Sequence, residues 1–436
     1  PTINNTLLYM MWRLFLNLLE FSSNEKVITF PSDKFKDITI SVYFKKDLSK
    51  KNKTLRSILG FVMAAATSHY PSQKQLAGYL EELYGANLSV NVMTKGQSDI
   101  ICFKTVAVNQ EYLPDHSLML LSQINLIKDV IFNPFVKNNS FDHTLTELKK
   151  NEIKARIQAS LDDKVTYSAN QLFSLMGHGT PLEISSTGYL EDIESITEKD
   201  LYEAYIDMIH NDEKHVYIAG HIKEEDIALF NTLSFPQSKP QLLSCYHFKS
   251  THKDFVEIIE KQNIIQSKLN LGYQTDTYFL DNDNEAMTVF SDLLGGYSQS
   301  RLFLNIREKN SLCYYINSIY DPYHGVMSIS SGIEMENYQK VKELINYEIN
   351  ELRKGHFSKE ELEMTKMMII SSLTKAYDSI PYLISLAFNR DIIRKKQSIE
   401  DYIEVINKVK KEDIQRCAEK IKLDTVYFLT RKEFHG

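Results

Sequence analysis

The chain has 436 residues, of which 43% are hydrophobic and 25% are charged, the ordinary mixture of a globular protein. This length suits two or three domains that each bury a core. The formal net charge of −7 argues against nucleic-acid binding, which favours a strongly basic surface. The four cysteines are widely spaced and form no C-x-x-C motif. That spacing favours a reducing compartment, so we expect a cytoplasmic protein.

Residues 1–22 form an apolar N-terminal segment, and its densest part is "LLYMMWRLFLNLL" at 7–19. This stretch is shorter than the roughly 20 residues of a membrane span and is interrupted by Arg13 and Asn17. It also lacks the basic start and the small-residue cleavage site of a secretory signal. We therefore predict a helix that docks on the protein or on a partner. An interfacial membrane helix is the less favoured alternative.

The next residues alternate strand and helix patterns. Residues 36–44 alternate apolar and polar side chains, which predicts a half-buried strand. Residues 54–85 predict a buried helix followed by an amphipathic helix, with Ser72 as the N-cap and Gly85 as the stop. Residues 86–108 predict two strands joined at "KGQ".

The second half repeats this order of elements. Residues 255–275 predict strands, and residues 284–315 predict a helix, a glycine turn and a second helix. Residues 316–333 then predict two strands around "DPYHG". The halves also end alike, because residues 196–220 and 409–430 each predict a helix followed by an apolar strand.

This repeat, with a period of about 210–230 residues, favours an internal duplication. We predict an α+β fold of two homologous α/β sandwich domains, each with helices packed on an antiparallel-rich sheet. The N-terminal domain would span 23–230, a linker 231–251 and the C-terminal domain 252–436. The alternative is that two unrelated α+β halves look alike at this level of detail.

One stretch of the second half carries a dense motif. "LLGGYSQSRLFLNIREKNSLCYYINSIYD" at 293–321 contains a glycine pair, R-L-F, R-E-K and a tyrosine seven residues beyond that second arginine. The motif resembles the C-terminal domains of the pitrilysin and mitochondrial-processing-peptidase family, which are zinc peptidases with an inverted H-x-x-E-H motif. The resemblance extends from about residue 26 onward and implies half of a clamshell that closes around a peptide. The matching residues are Gly295, Gly296, Arg301, Leu302, Phe303, Arg307, Glu308, Lys309 and Tyr314.

The zinc motif itself is missing. The family alignment places it on Ser57, Gly60 and Phe61, and no H-x-x-E-H string occurs around any of the twelve histidines. Two imidazoles at i and i+4 are needed to present zinc ligands on one helix face. Glu152 matches a further ligand position, although a surface carboxylate is the simpler interpretation. We expect no cofactor in this chain and zinc in a homologous partner subunit.

The resemblance assigns catalytic roles to Arg307 and Tyr314. In the family these groups face a zinc site bound by another domain, so they would stabilise the scissile carbonyl of a bound peptide. The alternatives are that Arg307 pairs with Glu308 or another carboxylate and Tyr314 packs in a core, or that Tyr315 takes the tyrosine role. Three neighbouring side chains are predicted to line the substrate site, although the two serines could instead cap a helix. They are Ser298, Ser300 and Arg301.

Together these features favour the non-zinc-binding subunit of a heterodimeric metallopeptidase for small-peptide processing. Such a subunit would be inactive alone and would complete a zinc endopeptidase with its partner. The alternative function is a non-enzymatic peptide-binding or scaffold protein, a pseudopeptidase that forms a homodimer.

Overall fold

The computed structural model describes residues 17–20, 26–31, 34–114, 118–223, 226, 229, 233, 235–239, 241–250, 254–376 and 378–432. The chain divides into two structural units. The first unit contains Pro1–Gln158, Ser185–Leu242 and Ser379–Asn389. The second unit contains Ala159–Ile184, Leu243–Asp378 and Arg390–Gly436. Ala159–Ile184 thus belongs to the second unit, and Ser379–Asn389 belongs to the first. The predicted division into two contiguous domains around 231–251 does not contain this exchange of segments.

Strands and helices alternate along both halves. The strands are β1 (Asn17–Glu20), β2 (Lys26–Pro31), β3 (Asp37–Asp47), β4 (Asn87–Lys95), β5 (Ser98–Val108), β6 (Val136–Lys137), β7 (Ser140–Phe141), β8 (Glu213–Gly220), β9 (Val256–Gln262), β10 (Ser267–Gln274), β11 (Cys313–Asp321), β12 (Val326–Ile333) and β13 (Lys422–Arg431). The helices are α1 (Lys50–Met63), α2 (Gln73–Glu82), α3 (Met119–Phe132), α4 (His143–Asp162), α5 (Lys164–Met176), α6 (Leu190–Ile193), α7 (Glu198–Asn211), α8 (Asn284–Gly295), α9 (Tyr338–Arg353), α10 (Lys359–Ala376), α11 (Ile380–Asp391), α12 (Ile399–Lys408) and α13 (Lys411–Lys420).

The two main sheets share one topology. The first unit orders its strands β1-β2-β8-β3-β5-β4, and the second orders them β9-β13-β10-β12-β11 when read from the matching edge. In the first unit β2 pairs in parallel with β8, and in the second unit β9 pairs in parallel with β13. The other neighbouring strands of the two sheets are antiparallel. Strand β1 is an addition to the first sheet. This shared order confirms the predicted pair of homologous α+β domains.

Local sequence signals explain several element boundaries. The side chain of Ser72 accepts a hydrogen bond from the amide of Gln75 and caps α2, as predicted. Gly85 has a φ of +73°, a conformation that suits the end of a helix. The predicted strand pair at 86–108 is the hairpin β4–β5.

In the second unit, helices cover both faces of the sheet. One face packs against α8, α9, α10, α12 and α13 around buried residues such as Phe290, Ile345 and Phe428. The helix α5 packs on β10 and β13 through Leu172, Tyr427 and Leu429. A Cβ atom at Gly272 would lie 2.8 Å from Met176 Sδ, so glycine in β10 makes room for α5.

The predicted N-terminal helix needs a correction. Residues 17–20 form strand β1, which pairs antiparallel with β2, because backbone hydrogen bonding to an open sheet edge overrides the local apolar pattern. The remainder of the predicted helix, 7–16, lies outside the described residues. Among the residues that the structure describes, no helix has the length and apolar composition needed to cross a membrane.

A network of four buried charges fixes α1 in the first unit. Lys53 Nζ donates to Asp99 Oδ1 at 2.6 Å, and Arg56 Nε donates to Asp99 Oδ2 at 2.9 Å. Arg56 Nη2 also donates to Asp212 Oδ2 at 2.7 Å. The four side chains are at most 4% exposed. Asp99 belongs to β5 and Asp212 follows α7, so the network ties α1 to both elements.

Removing one carboxylate from this network should strongly destabilise the protein. Asp99→Ala leaves two buried cations without their shared partner, and we expect a loss of about 3–5 kcal/mol in the free energy of unfolding. Urea denaturation measures the loss. The control is Glu194→Gln, which breaks the exposed Lys154–Glu194 ion pair and should leave the free energy of unfolding nearly unchanged. Equal, small losses in the two variants would contradict the prediction.

Candidate functional site

The lost zinc-motif positions lie on α1 of the first unit. Ser57 is 1% exposed, and its Oγ has no hydrogen-bond partner among the described residues. A Cβ atom at Gly60 would lie 3.2 Å from methyl carbons of Val90, Val92 and Ile101. Gly60 therefore lets α1 pack closely on β4 and β5. A glutamate side chain at this position would meet that packed surface.

An arginine lies against the third motif position. Arg156 Cζ of α4 is 4.3 Å from the ring centroid of Phe61, a cation–π geometry. Glu152, one turn earlier on α4, accepts hydrogen bonds from Lys149 Nζ at 2.9 Å through both carboxylate oxygens. A zinc site needs imidazole, thiolate or carboxylate ligands that converge on one point. A hydroxyl, a glycine and a phenylalanine beside a guanidinium do not fit that ion.

In the second unit, the glycine pair joins α8 to the following turn. A Cβ atom at Gly295 would lie 2.6 Å from the backbone nitrogen of Ser318, so glycine lets α8 approach β11 closely. A Cβ atom at Gly296 would lie 2.7 Å from the Cα atom of Asp292. Both glycines are therefore required by packing around the turn.

Arg307 lies on a π-helix that spans Phe303–Glu308. Its Cζ is 4.5 Å from the ring centroid of Phe303, one turn earlier. Its Nε is 3.9 Å from Glu308 Oε1, which is too long for a hydrogen bond, and the side chain is 40% exposed. The Phe303 ring thus orients the guanidinium, while its donors have no hydrogen-bonded partner in the described part of the chain. Short π-helices are frequent at functional sites.

Tyr314 and Tyr315 lie at the start of β11, where the pairing with β12 shifts by one residue between Cys313 and Tyr315, a β-bulge. Tyr314 is 58% exposed, and its hydroxyl donates to Glu334 Oε1 at 2.8 Å. That hydrogen bond raises the pKa of Tyr314, so the phenol keeps its proton. Tyr315 packs beside Lys268, and burial raises its pKa to about 12. The exposed hydroxyl therefore belongs to Tyr314.

The three predicted substrate-binding residues have different surroundings. Ser298 is exposed. Ser300 is 3% exposed and its Oγ has no hydrogen-bond partner among the described residues, so this hydroxyl does not cap the following helix. Arg301 donates to Glu348 Oε2 at 2.8 Å and to Glu361 Oε1 at 2.9 Å. These ion pairs favour a structural role for Arg301, which ties the turn to α9 and α10.

Sequence reasoning missed Asp292, which lies on α8 beside the glycine pair. Burial raises the pKa of its carboxyl to about 6, although a hydrogen bond from Tyr297 partly offsets this. The signal was available, since Asp292 interrupts an apolar run in "FSDLLGG".

Sequence reasoning also missed a trio of possible metal ligands in the first unit. Ligand atoms of His143, Glu147 and Glu198 lie within 4.8 Å of one another. His143 Nδ1 is 2.5 Å from Glu198 Oε1, and this contact raises the pKa of the imidazole. The side chain of His143 is 79% exposed, so an exposed ion pair accounts for the arrangement.

This chain is similar to known proteins over almost its whole length. The "Probable inactive metalloprotease YmfF" of Bacillus subtilis (strain 168) is 31% identical over 406 residues, which cover 92% of this chain and 95% of that protein. A family profile described as "Peptidase M16 inactive domain" matches residues 195–369. The chain belongs to the M16 peptidase family. This membership confirms the resemblance to the zinc peptidases with the inverted motif, although this M16 chain lacks H-x-x-E-H.

Two solved structures share the M16 fold over almost the whole chain. A conserved protein from Enterococcus faecalis V583 has a TM-score of 0.88 and 28% identity, and covers 96% of this chain and 99% of that one. A peptidase M16 inactive domain from Pseudomonas fluorescens has a TM-score of 0.78 and 16% identity, and covers 96% of this chain and 98% of that one.

Restoring the three motif residues should not restore a zinc site in this M16 chain. In the combined variant Ser57→His, Gly60→Glu and Phe61→His, the glutamate meets the packed surface of β4 and β5, so we expect a markedly lower melting temperature. Metal analysis after zinc loading should find less than one ion per chain. The control is Phe61→His alone, at a half-buried position, which should fold normally. A folded triple variant with stoichiometric zinc would refute this expectation.

Replacing Asp292 by asparagine should stabilise the protein at neutral pH. Because folding raises the pKa of this carboxyl from 3.8 to about 6, its stabilising contribution is present below pH 4 and is lost as the pH rises through 6. Asp292→Asn should therefore increase the free energy of unfolding by about 2–3 kcal/mol at pH 7.5, and by little at pH 4. Urea denaturation at both values measures this. The exposed control Glu412→Gln should show no such pH-dependent gain.

Proposed function

We propose that this chain is the non-zinc-binding subunit of a two-chain M16 metallopeptidase. The observation that carries the proposal is the pair of accessible donors in the second unit, Arg307 and Tyr314, in a chain whose motif positions do not fit zinc. A homologous partner with an intact H-x-x-E-H motif would bind the metal. The substrate would be an extended peptide in small-peptide processing.

The two donors suit the charge that develops during amide hydrolysis. The partner's zinc would activate the attacking water, whereas this chain would act on the scissile carbonyl. The Tyr314 hydroxyl would exchange its hydrogen bond to Glu334 for one to the developing oxyanion. Its raised pKa keeps the phenol protonated, and so able to donate, across the neutral and mildly alkaline range. Arg307 would donate to neighbouring backbone carbonyls through its planar fork.

The sheet geometry supports peptide binding next to these donors. Strand β11, which carries Tyr314, is one of the two outer strands of the five-stranded sheet. An outer strand offers unpaired backbone groups to which an extended peptide can add as a further strand. Main-chain hydrogen bonds of this kind give affinity with little demand on the peptide sequence. A peptide held there would lie beside the Tyr314 hydroxyl.

The test combines this chain with a homologue that carries H-x-x-E-H and measures cleavage of a quenched fluorescent peptide. Tyr314→Phe should lower kcat by about 10²–10³-fold, because one oxyanion donor is removed. Arg307→Ala should lower kcat/KM by at least about tenfold, because a hydrogen bond to a charged group is lost.

Two matched variants control for general effects. Tyr347→Phe removes the hydroxyl of another exposed tyrosine, which lies on α9. Arg431→Ala removes an exposed arginine that pairs with Glu336. Both should leave kcat and KM unchanged. Cleavage that survives Arg307→Ala and Tyr314→Phe would rule out the composite site. A homodimer that binds peptides and supports no cleavage would instead favour a scaffold function.

A further inference from the structure

The second unit also contains a cavity that the proposed reaction does not use. A cavity of about 460 Å³ lies between the turn that follows the glycine pair and the start of α10. Its size falls within the range of pockets that bind small ligands or single side chains. Its lining includes three carboxylate residues and no lysine or arginine. The cavity therefore has an acidic character.

One of these carboxylates, Asp292, has no cationic partner among the described residues, and its side chain accepts a hydrogen bond from Tyr297. Glu360, in the first turn of α10, interacts with Lys359 and with the side chain of Ser358. The third carboxylate, Glu361, pairs with Arg301, which also pairs with Glu348. Asp292 is largely ionised at neutral pH and partly buried, so a ligand cation would compensate a charge that the protein leaves unpaired.

A buried hydroxyl also lines the cavity. Ser300 is 3% exposed and its Oγ has no hydrogen-bond partner among the described residues. Buried polar atoms are almost always paired in native proteins. A hydroxyl can accept a hydrogen bond from an ammonium or guanidinium N–H. Ser300 Oγ is therefore a second hydrogen-bond acceptor for the same cationic group of a ligand.

The remaining lining suits an aliphatic chain. Leu304 and Met364 are 46% and 38% exposed, and Met368 lies one turn further along α10. Methionine side chains adapt readily to flexible apolar ligands. The cavity thus combines an acidic end with an apolar wall, which matches a cation carried on a hydrocarbon stem.

We propose that this cavity binds the basic side chain of an extended peptide, lysine or arginine, with the cationic group at Asp292 and Ser300 and the stem along Leu304 and Met364. The peptide origin of the ligand rests on the proposed function. The same chemistry occurs in a free diamine, so the experiment includes one. In this scheme the cavity selects peptides by one side chain, whereas Arg307 and Tyr314 act on the backbone.

The experiment measures binding to the full chain at pH 7.5. Two fluorescent peptides differ only in one lysine, which the second peptide replaces by norleucine, and affinities come from fluorescence anisotropy. The lysine peptide should bind at least about tenfold more tightly. Asp292→Asn should remove this difference by weakening the lysine peptide alone. Since this substitution is expected to stabilise the fold, the loss would not come from unfolding. The control Glu363→Gln changes a carboxylate on α10 that pairs with Lys366 outside the cavity, and should keep the difference.

The outcomes separate this proposal from the proposed function. If both peptides bind wild type equally well, the cavity proposal is overturned while peptide binding stands. If neither peptide binds, the peptide role fails, and cadaverine then decides the fate of the cavity by isothermal titration calorimetry. Saturable cadaverine binding that Asp292→Asn removes would support a cation pocket for free diamines, and no binding would overturn it.

Discussion

The position of α1 depends on the buried charges at Lys53, Arg56, Asp99 and Asp212. Once four charges are out of water, each is stabilised only by its partners, so the helix cannot shift without exposing or unpairing them. In the peptidases of this family, zinc binding would add a further restraint at the same helix. In this chain the four charges hold α1, and Gly60 lets the same helix pack closely against β4 and β5. Both contacts restrain the helix that carries Ser57, Gly60 and Phe61.

The duplicated topology carries different surfaces in its two copies. The two sheets share one strand order apart from β1, and a helix follows β3 in the first unit and β10 in the second. In the first unit that helix packs its former motif positions inward or beneath Arg156. In the second unit the equivalent helix ends at a glycine pair, and the following π-helix presents Arg307. One fold thus supports a structural surface in one copy and a surface of hydrogen-bond donors in the other.

Much of the fold could be predicted from sequence, because the alternation of apolar and polar residues marks strands and short polar side chains mark helix caps. The alternation at 36–44 and the hairpin at 86–108 are examples of this. The exchange of segments between the units could not be predicted, since the pattern of α5 indicates a helix but not which sheet it covers. The buried partners Asp99 and Asp212 look like surface charges in a sequence. For the site, Arg307 and Tyr314 emerged from family resemblance, whereas spacing alone left a packing role open.

The exchange of segments also decides how the gene can be divided. A cut in the predicted linker at 231–251 would release an N-terminal fragment that still carries α5, the helix that covers β10 and β13 of the second sheet. The C-terminal fragment would carry α11, whose Phe388 stacks on Tyr43 of β3. Each fragment would expose apolar surface that the intact chain buries. The halves are therefore expected to be soluble only when co-expressed, and to complement each other when both are present.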